Sequence, residues 1–164
     1  MSTPMNRRHF IIATGMTALA STRVLGANDT LRVGVIGAGG RMGDLLNAAD
    51  RVGGYQIVAV SDVYAPRREA VKQRAAGSSA TTHVNYKEVL DQQLDAVIIA
   101  TPDHWHVRIA ADAVASGKDV YLEKPVTHTL EEGAVLTKAV RSSKQILQCG
   151  MQQRSWSHFR DAVI

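Results

Sequence analysis

Four short stretches hold the residues whose types and spacing could do chemistry. The first is Gly37-Ala38-Gly39-Gly40-Arg41-Met42-Gly43, directly after the apolar run Leu31 to Ile36. Glycines let a chain bend sharply and let its backbone approach a ligand closely. The N–H groups that open a helix have no partner within it, and the helix dipole makes that end positive. A glycine turn running from a strand into a helix is therefore a site for a pyrophosphate. The second is Asp62, 19 residues after Gly43, where a dinucleotide site places the acid that accepts hydrogen bonds from a ribose diol. Its bland alternative is a solvated cap for the next helix. A carboxylate repels a 2′-phosphate, so Asp62 favours NAD over NADP, although Arg67 and Arg68 follow and can pair with such a phosphate. The third is Thr101-Pro102-Asp103-His104-Trp105-His106 and the fourth Glu123-Lys124-Pro125. A lysine at a strand end can hydrogen-bond a substrate hydroxyl or, with a lowered pKa, exchange a proton, the bland alternative being a solvated charged loop. Pro125 fixes the turn and is a candidate for a cis bond.

Two of these features have competing readings. Strict G-x-G-x-x-G spacing would put its third glycine at Met42, whereas here it arrives at Gly43 with an extra Gly40. That glycine serves helix–strand packing, so the departure bears on packing more than on phosphate contact. His104 and His106 suggest a metal at first sight. Two histidines at i and i+2 do not share a helix face, however, and no third ligand stands at metal-binding spacing. His106 is instead a candidate pocket wall or polar contact, with a partly exposed cap residue as the alternative.

The elements that must position these groups alternate regularly. Leu31 to Ile36 reads as a buried strand, and residues 41–51 as a helix with Leu45, Leu46 and Ala49 inward, closed by Gly53 and Gly54. Strands are expected at 55–60, 82–85, 94–100, 119–122 and 145–149, and helices at 66–76, 86–91, from 103 or 104 to 116, and 129–143. Asp103 is a plausible N-cap, and Thr129 with Glu132 has capping-box spacing. Val135, Leu136, Ala139 and Val140 form the last helix's apolar side. Strand–helix alternation implies an α/β fold, a Rossmann-type doubly wound parallel sheet. In such sheets ligands bind beyond the carboxyl ends of the strands, and all four stretches fall on that edge.

Length and composition agree with one ordinary domain: 164 residues, 45% hydrophobic and 21% charged. The single Cys149 rules out an internal disulfide. Residues 1–27 differ in kind, with Arg7, Arg8 and Arg23, no acid, and an apolar run from Phe10 through Ala20. The run is too short to span a bilayer and fits a secretory signal. The paired arginines before Phe10 match a twin-arginine signal, which predicts export to the periplasm through the twin-arginine translocation machinery. A disordered basic arm is the alternative. Without the three leader arginines, 16 basic residues face 15 acidic ones, so the basicity is mostly the leader's and nothing suggests nucleic acid.

Taken together, the glycine turn, Asp62, Thr101–His106 and Glu123–Pro125 resemble the N-terminal half of the Gfo/Idh/MocA oxidoreductase family, over residues 31–154. A twin-arginine leader also resembles that of exported members similar to glucose–fructose oxidoreductase. The resemblance implies an NAD(P)-binding Rossmann domain at 31–150, followed by an α/β domain built on an open sheet. Hydride would pass between the nicotinamide and a carbon of a sugar, cyclitol or related polyol. By similarity Gly37, Ala38, Gly39, Gly40, Arg41 and Met42 line the pyrophosphate turn and Asp62 holds the ribose. Thr101, Pro102, His104 and His106 lie along the cofactor, and Glu123 and Lys124 approach nicotinamide and substrate. Lys124 and His106 are the candidate catalytic residues.

In the family the second domain supplies the substrate pocket, an acid/base histidine and the dimer surface. Residues 151–164 would only begin that domain, so the chain is expected to be a fragment, inactive alone, with oligomerisation left to the full-length protein. Two other functions fit the same residues. One is an NAD-dependent glycoside hydrolase of this fold, whose members tend to lack the Glu-Lys-Pro form. The other is a dinucleotide-binding module without turnover.

Overall fold

The computed structural model describes residues 30–75 and 79–162 of the chain. The expected signal at residues 1–27 lies outside them. Six strands form one wholly parallel sheet: β1 (Leu31–Ile36), β2 (Tyr55–Ser61), β3 (Thr81–His83), β4 (Ala96–Ile99), β5 (Asp119–Glu123) and β6 (Leu147–Gly150). Their spatial order is β3-β2-β1-β4-β5-β6. Between and after them run α1 (Gly40–Val52), α2 (Ala65–Arg74), α3 (Tyr86–Leu90), α4 (His106–Ala115), α5 (Leu130–Arg141) and the short α6 (Ser157–Asp161). The expected doubly wound α/β fold is the one found.

Helices cover both faces of the sheet, which is why its central strands read as continuous apolar runs rather than alternating ones. Successive strand residues point to opposite faces. Accordingly Val35 and Val60 join Met42, Leu46, Ile57 and Val71 in one core. Ile36 and Ala59 join Val97, Ile99, Ile109, Ala113, Leu122 and Leu136 in the other. The chain leaves β1 toward β2 and β3, then crosses to β4 on the other side of β1. The strand order therefore reverses between β1 and β4, and that switch point is where such sheets open a crevice.

Several expectations are corrected in detail. Met42 is fully buried in the first core while Gly43 has nothing within 4 Å of where a Cβ would stand. The third-glycine position is thus filled by a methionine wedged between helix and sheet, and Gly43 packs against nothing. In α1 Met42 and Leu46 are buried, Leu45 packs half-buried against the same core as expected, and Ala49 is only half-buried. Asp103 is not the N-cap of α4: residues Asp103–Trp105 make a 3₁₀ turn first, and the Asp103 carboxylate accepts the N–H of His104 at 3.0 Å. Val135 is exposed and Leu136 alone of α5 is buried. The capping box of Thr129 and Glu132 is present as expected.

Candidate cofactor site

The glycine turn is shaped by its neighbours. Gly37 ends β1 at φ 83°, and a Cβ there would fall 2.7 Å from the Ala100 carbonyl oxygen and the Thr101 nitrogen. Only glycine tolerates that combination of a left-handed backbone and contact with the end of β4. Gly39 differs, with an extended backbone at φ −73°. A Cβ on it would meet nothing nearer than the Arg67 guanidinium, 3.8 Å away. The absent side chain at Gly39 keeps clear the space above the first turn of α1, where the N–H groups of Gly40, Arg41 and Met42 have no helical partner. Met42 thus contributes a backbone N–H, its side chain being in the core.

Asp62, at the end of β2, grips this turn. One carboxylate oxygen accepts the Ala38 N–H at 2.8 Å and the other the Tyr64 N–H at 2.8 Å. Each oxygen can accept a second hydrogen bond, so the carboxylate that fixes the turn still has capacity for a ribose diol. Of the two arginines that follow, Arg68 donates to the Asp62 carbonyl at 2.5 Å. Arg67 lies over the Tyr64 ring, 5.8 Å from its centroid, and faces the cleft.

The cleft itself has a volume of about 400 Å³. Gly37, Gly39, Asp62, Thr101 and Pro102 line it, so five of the residues singled out from sequence converge there. Val63, Val84, Tyr86 and Trp105 add an apolar wall, and Tyr86 and Trp105 meet edge to face with centroids 6.4 Å apart. Val63, Val84 and Tyr86 were not among the expected site residues, and Trp105 stood within its stretch without a role. Trp105 was the available signal, a large aromatic at a strand end. The Thr101 hydroxyl is buried without a hydrogen-bond partner. A buried polar atom in that state, on a residue that lines a cleft, calls for an explanation, and a ligand group arriving there supplies one. A carboxylate with spare capacity, free helix N–H groups, a bare glycine and an unsatisfied hydroxyl together fit a dinucleotide.

The remaining candidates sit elsewhere. His104 is exposed and does not line the cleft; its ring faces Asp103 at 3.8 Å and tilts against Trp105. His106 is 1% exposed, with Nδ1 2.6 Å from the Pro125 carbonyl and Nε2 2.9 Å from that of Thr101. Both partners only accept, so a neutral ring donates to one and an imidazolium to both. No ring nitrogen is left to face a substrate. The expectation of a catalytic or pocket-wall His106 is corrected: it is a cross-brace between the end of β4 and the Lys124–Pro125 turn, whose peptide bond is cis.

Glu123 is 3% exposed. Its Oε1 accepts from Arg41 Nε at 2.7 Å and Nη2 at 2.6 Å, and its Oε2 accepts the Lys124 N–H at 3.0 Å. Hydrogen bonding to Glu123 holds the Arg41 guanidinium above its ordinary value. Arg41 and Glu123, both expected along the cofactor, are paired with each other at this edge. Lys124 is exposed at the same edge.

A parallel sheet with a pyrophosphate turn, a ribose acid and a crevice at its switch point defines a dinucleotide-binding Rossmann domain. Residues 31–151 match the oxidoreductase family with the NAD-binding Rossmann fold, Gfo/Idh/MocA, and the chain belongs to that family. It is 34% identical over 128 residues to inositol 2-dehydrogenase 1 of Saccharopolyspora erythraea, covering 76% of this chain and 38% of that protein. It is 33% identical over 134 residues to the NAD(+)-dependent scyllo-inositol 2-dehydrogenase of Bacillus subtilis, covering 80% and 39%. A glycosyl hydrolase family 109 protein of Solibacter usitatus is 35% identical over 117 residues, covering 64% and 26%. Among solved structures, the myo-inositol 2-dehydrogenase of Lactobacillus plantarum superposes with a TM-score of 0.73 at 29% identity, covering 82% of this chain and 40% of that one. The chain spans about two fifths or less of the length of these relatives.

Proposed function

We propose that this chain is the cofactor-binding part of an NAD-dependent oxidoreductase that moves hydride between the nicotinamide and a carbinol carbon of a cyclitol, sugar or related polyol. The observation that carries it is the cleft in which Gly37, Gly39, Asp62 and the unsatisfied Thr101 hydroxyl meet. Relatives named as inositol dehydrogenases support the substrate class. When bound, NAD supplies the hydride acceptor. The chain's own groups do the rest: the first turn of α1 binds the pyrophosphate, Asp62 orients the adenosine ribose, and the apolar wall of Val84, Tyr86 and Trp105 excludes water. Lys124 hydrogen-bonds the reacting hydroxyl and, as the neutral amine, takes up its proton as the carbon loses hydride to NAD.

The protein at its full native length, incubated with NAD and a panel of cyclitols and hexoses, is expected to accumulate NADH in proportion to substrate consumed. The glycosyl hydrolase relative favours a second reading, cleavage of a glycoside with NAD reduced and reoxidised within one turnover. Release of free sugar with no net NADH would establish that reading and overturn the first.

We infer further that the protein is exported by the twin-arginine route, on the strength of Arg7 and Arg8 ahead of the apolar run. In fractionated cells the protein is expected in the periplasm. The double substitution Arg7→Lys, Arg8→Lys should hold it in the cytoplasm, and unchanged localisation would refute the route.

A further inference from the structure

Arg41 stands in the second position of α1, one residue inside the turn expected to hold a pyrophosphate, and is the natural residue to assign to phosphate binding. The geometry points to a different task. We propose that Arg41 is a positioning residue for Lys124, acting through Glu123, and that it contributes no phosphate contact. The inference rests on the hydride-transfer reading above.

Three observations carry it. First, Glu123 is a carboxylate with 3% of its surface exposed, and among the described residues its Oε1 accepts hydrogen bonds from Arg41 alone. Swinging the guanidinium to a phosphate would leave that oxygen charged, buried and without a donor, a strongly unfavourable state. Second, the guanidinium already lies between two carboxylates, Glu123 at 2.6 Å and Asp44 at 3.8 Å. It therefore presents little net positive charge to an incoming anion, and the pyrophosphate depends on backbone N–H groups and the helix dipole. Third, the other oxygen of Glu123 accepts the backbone N–H of Lys124. Arg41 thus fixes the carboxylate that fixes the start of the Lys124–Pro125 turn. Gly150 of β6 leaves room for this carboxylate, for a Cβ there would fall 2.9 Å from Glu123 Oε1 and 2.7 Å from the Tyr121 hydroxyl.

The strut joins residues 82 positions apart, from the element that receives the cofactor phosphates to the one that presents the reacting lysine. Its function in the reaction is to hold the Lys124 backbone in a fixed place relative to the glycine turn.

The test uses the protein at its full native length with Arg41→Met, Glu123→Gln and the double variant. NAD affinity is read by quenching of tryptophan fluorescence, turnover with the best polyol, and thermal melting for all four proteins. Arg41→Met is expected to change the NAD dissociation constant less than threefold while lowering kcat at least tenfold. The melting loss of Arg41→Met should be partly reversed by adding Glu123→Gln, because the double variant no longer buries an unpaired charge. A tenfold or greater loss of NAD affinity in Arg41→Met would show it to be a phosphate ligand and overturn the proposal. So would additive melting losses, or an unchanged kcat. A wild-type protein that binds NAD and turns over no polyol overturns the hydride-transfer reading instead, and the affinity and melting results then still decide whether Arg41 serves Glu123 or the phosphates.

Discussion

Replacing Gly39 by valine is expected to weaken NAD binding at least a hundredfold while leaving the fold intact. The expectation comes from contrasting two glycines two residues apart. At Gly39 the backbone is extended, at φ −73° and ψ −173°, a conformation any L-residue adopts. A Cβ would have only the flexible Arg67 guanidinium within 4 Å, and Gly39 caps α1 without a side-chain hydrogen bond. Stability should therefore shift by no more than about 1 kcal/mol. The branched side chain would nevertheless stand over the free N–H groups of the first turn, where the pyrophosphate must approach the backbone closely. A hundredfold loss corresponds to about 2.7 kcal/mol, the scale of losing charge-assisted hydrogen bonds to a phosphate. Gly37→Ala should behave in the opposite way. Its φ of 83° and backbone atoms at 2.7 Å place the cost in the folded state itself, at least about 1–2 kcal/mol from handedness alone. A melting curve is expected to show Gly37→Ala destabilised and Gly39→Val near wild type. NAD titration, followed through Trp105 in the cleft wall, should show the hundredfold or greater loss of affinity in Gly39→Val. Should Gly39→Val bind NAD as the wild type does, the pyrophosphate is not at this turn.

These two glycines also show where a sequence stops being informative. The order of strands and helices was legible because each element carries its own period and its own punctuation: Leu31 to Ile36 apolar throughout, Gly53 and Gly54 after α1, Thr129 with Glu132 before α5. Topology then placed the polar strand ends on one edge without knowledge of a single contact. The errors that remain are errors of partner. Arg41 and Glu123 are both polar residues at that edge, and local spacing gave no reason to join them across 82 positions. The same holds for His106, whose two carbonyl partners come from the ends of different strands. What fills the Met42 position was open for a related reason. Spacing says where a glycine is missing, whereas the distance between α1 and the sheet decides what fills its place. The apolar wall of Val63, Val84, Tyr86 and Trp105 was hidden because apolar residues near strand ends look like ordinary core until a cleft is seen to open beside them.

The largest effect on turnover is expected at Lys124. In the full-length protein Lys124→Met should lower kcat by roughly 10²–10⁴, the range associated with a positioned general acid or base, with NAD affinity unchanged. The side chain is exposed, so the substitution leaves no cavity and no unpaired buried charge; stability should stay within about 0.5 kcal/mol. What holds Lys124 in place belongs to its neighbours. Its N–H is bound to Glu123 at 3.0 Å, Glu123 is bound to Arg41, and the carbonyl of the next residue, Pro125, is bound to His106 at 2.6 Å. The turn is thus clamped on both sides of a residue whose own side chain is free to reach a ligand. That division of labour separates two kinds of variant. Removing the amine should abolish proton transfer and leave the melting temperature alone, whereas removing a clamp should lower both kcat and the melting temperature. A Lys124→Met protein with wild-type kcat would show that the proton goes elsewhere, and would leave the clamped turn without a role in the reaction.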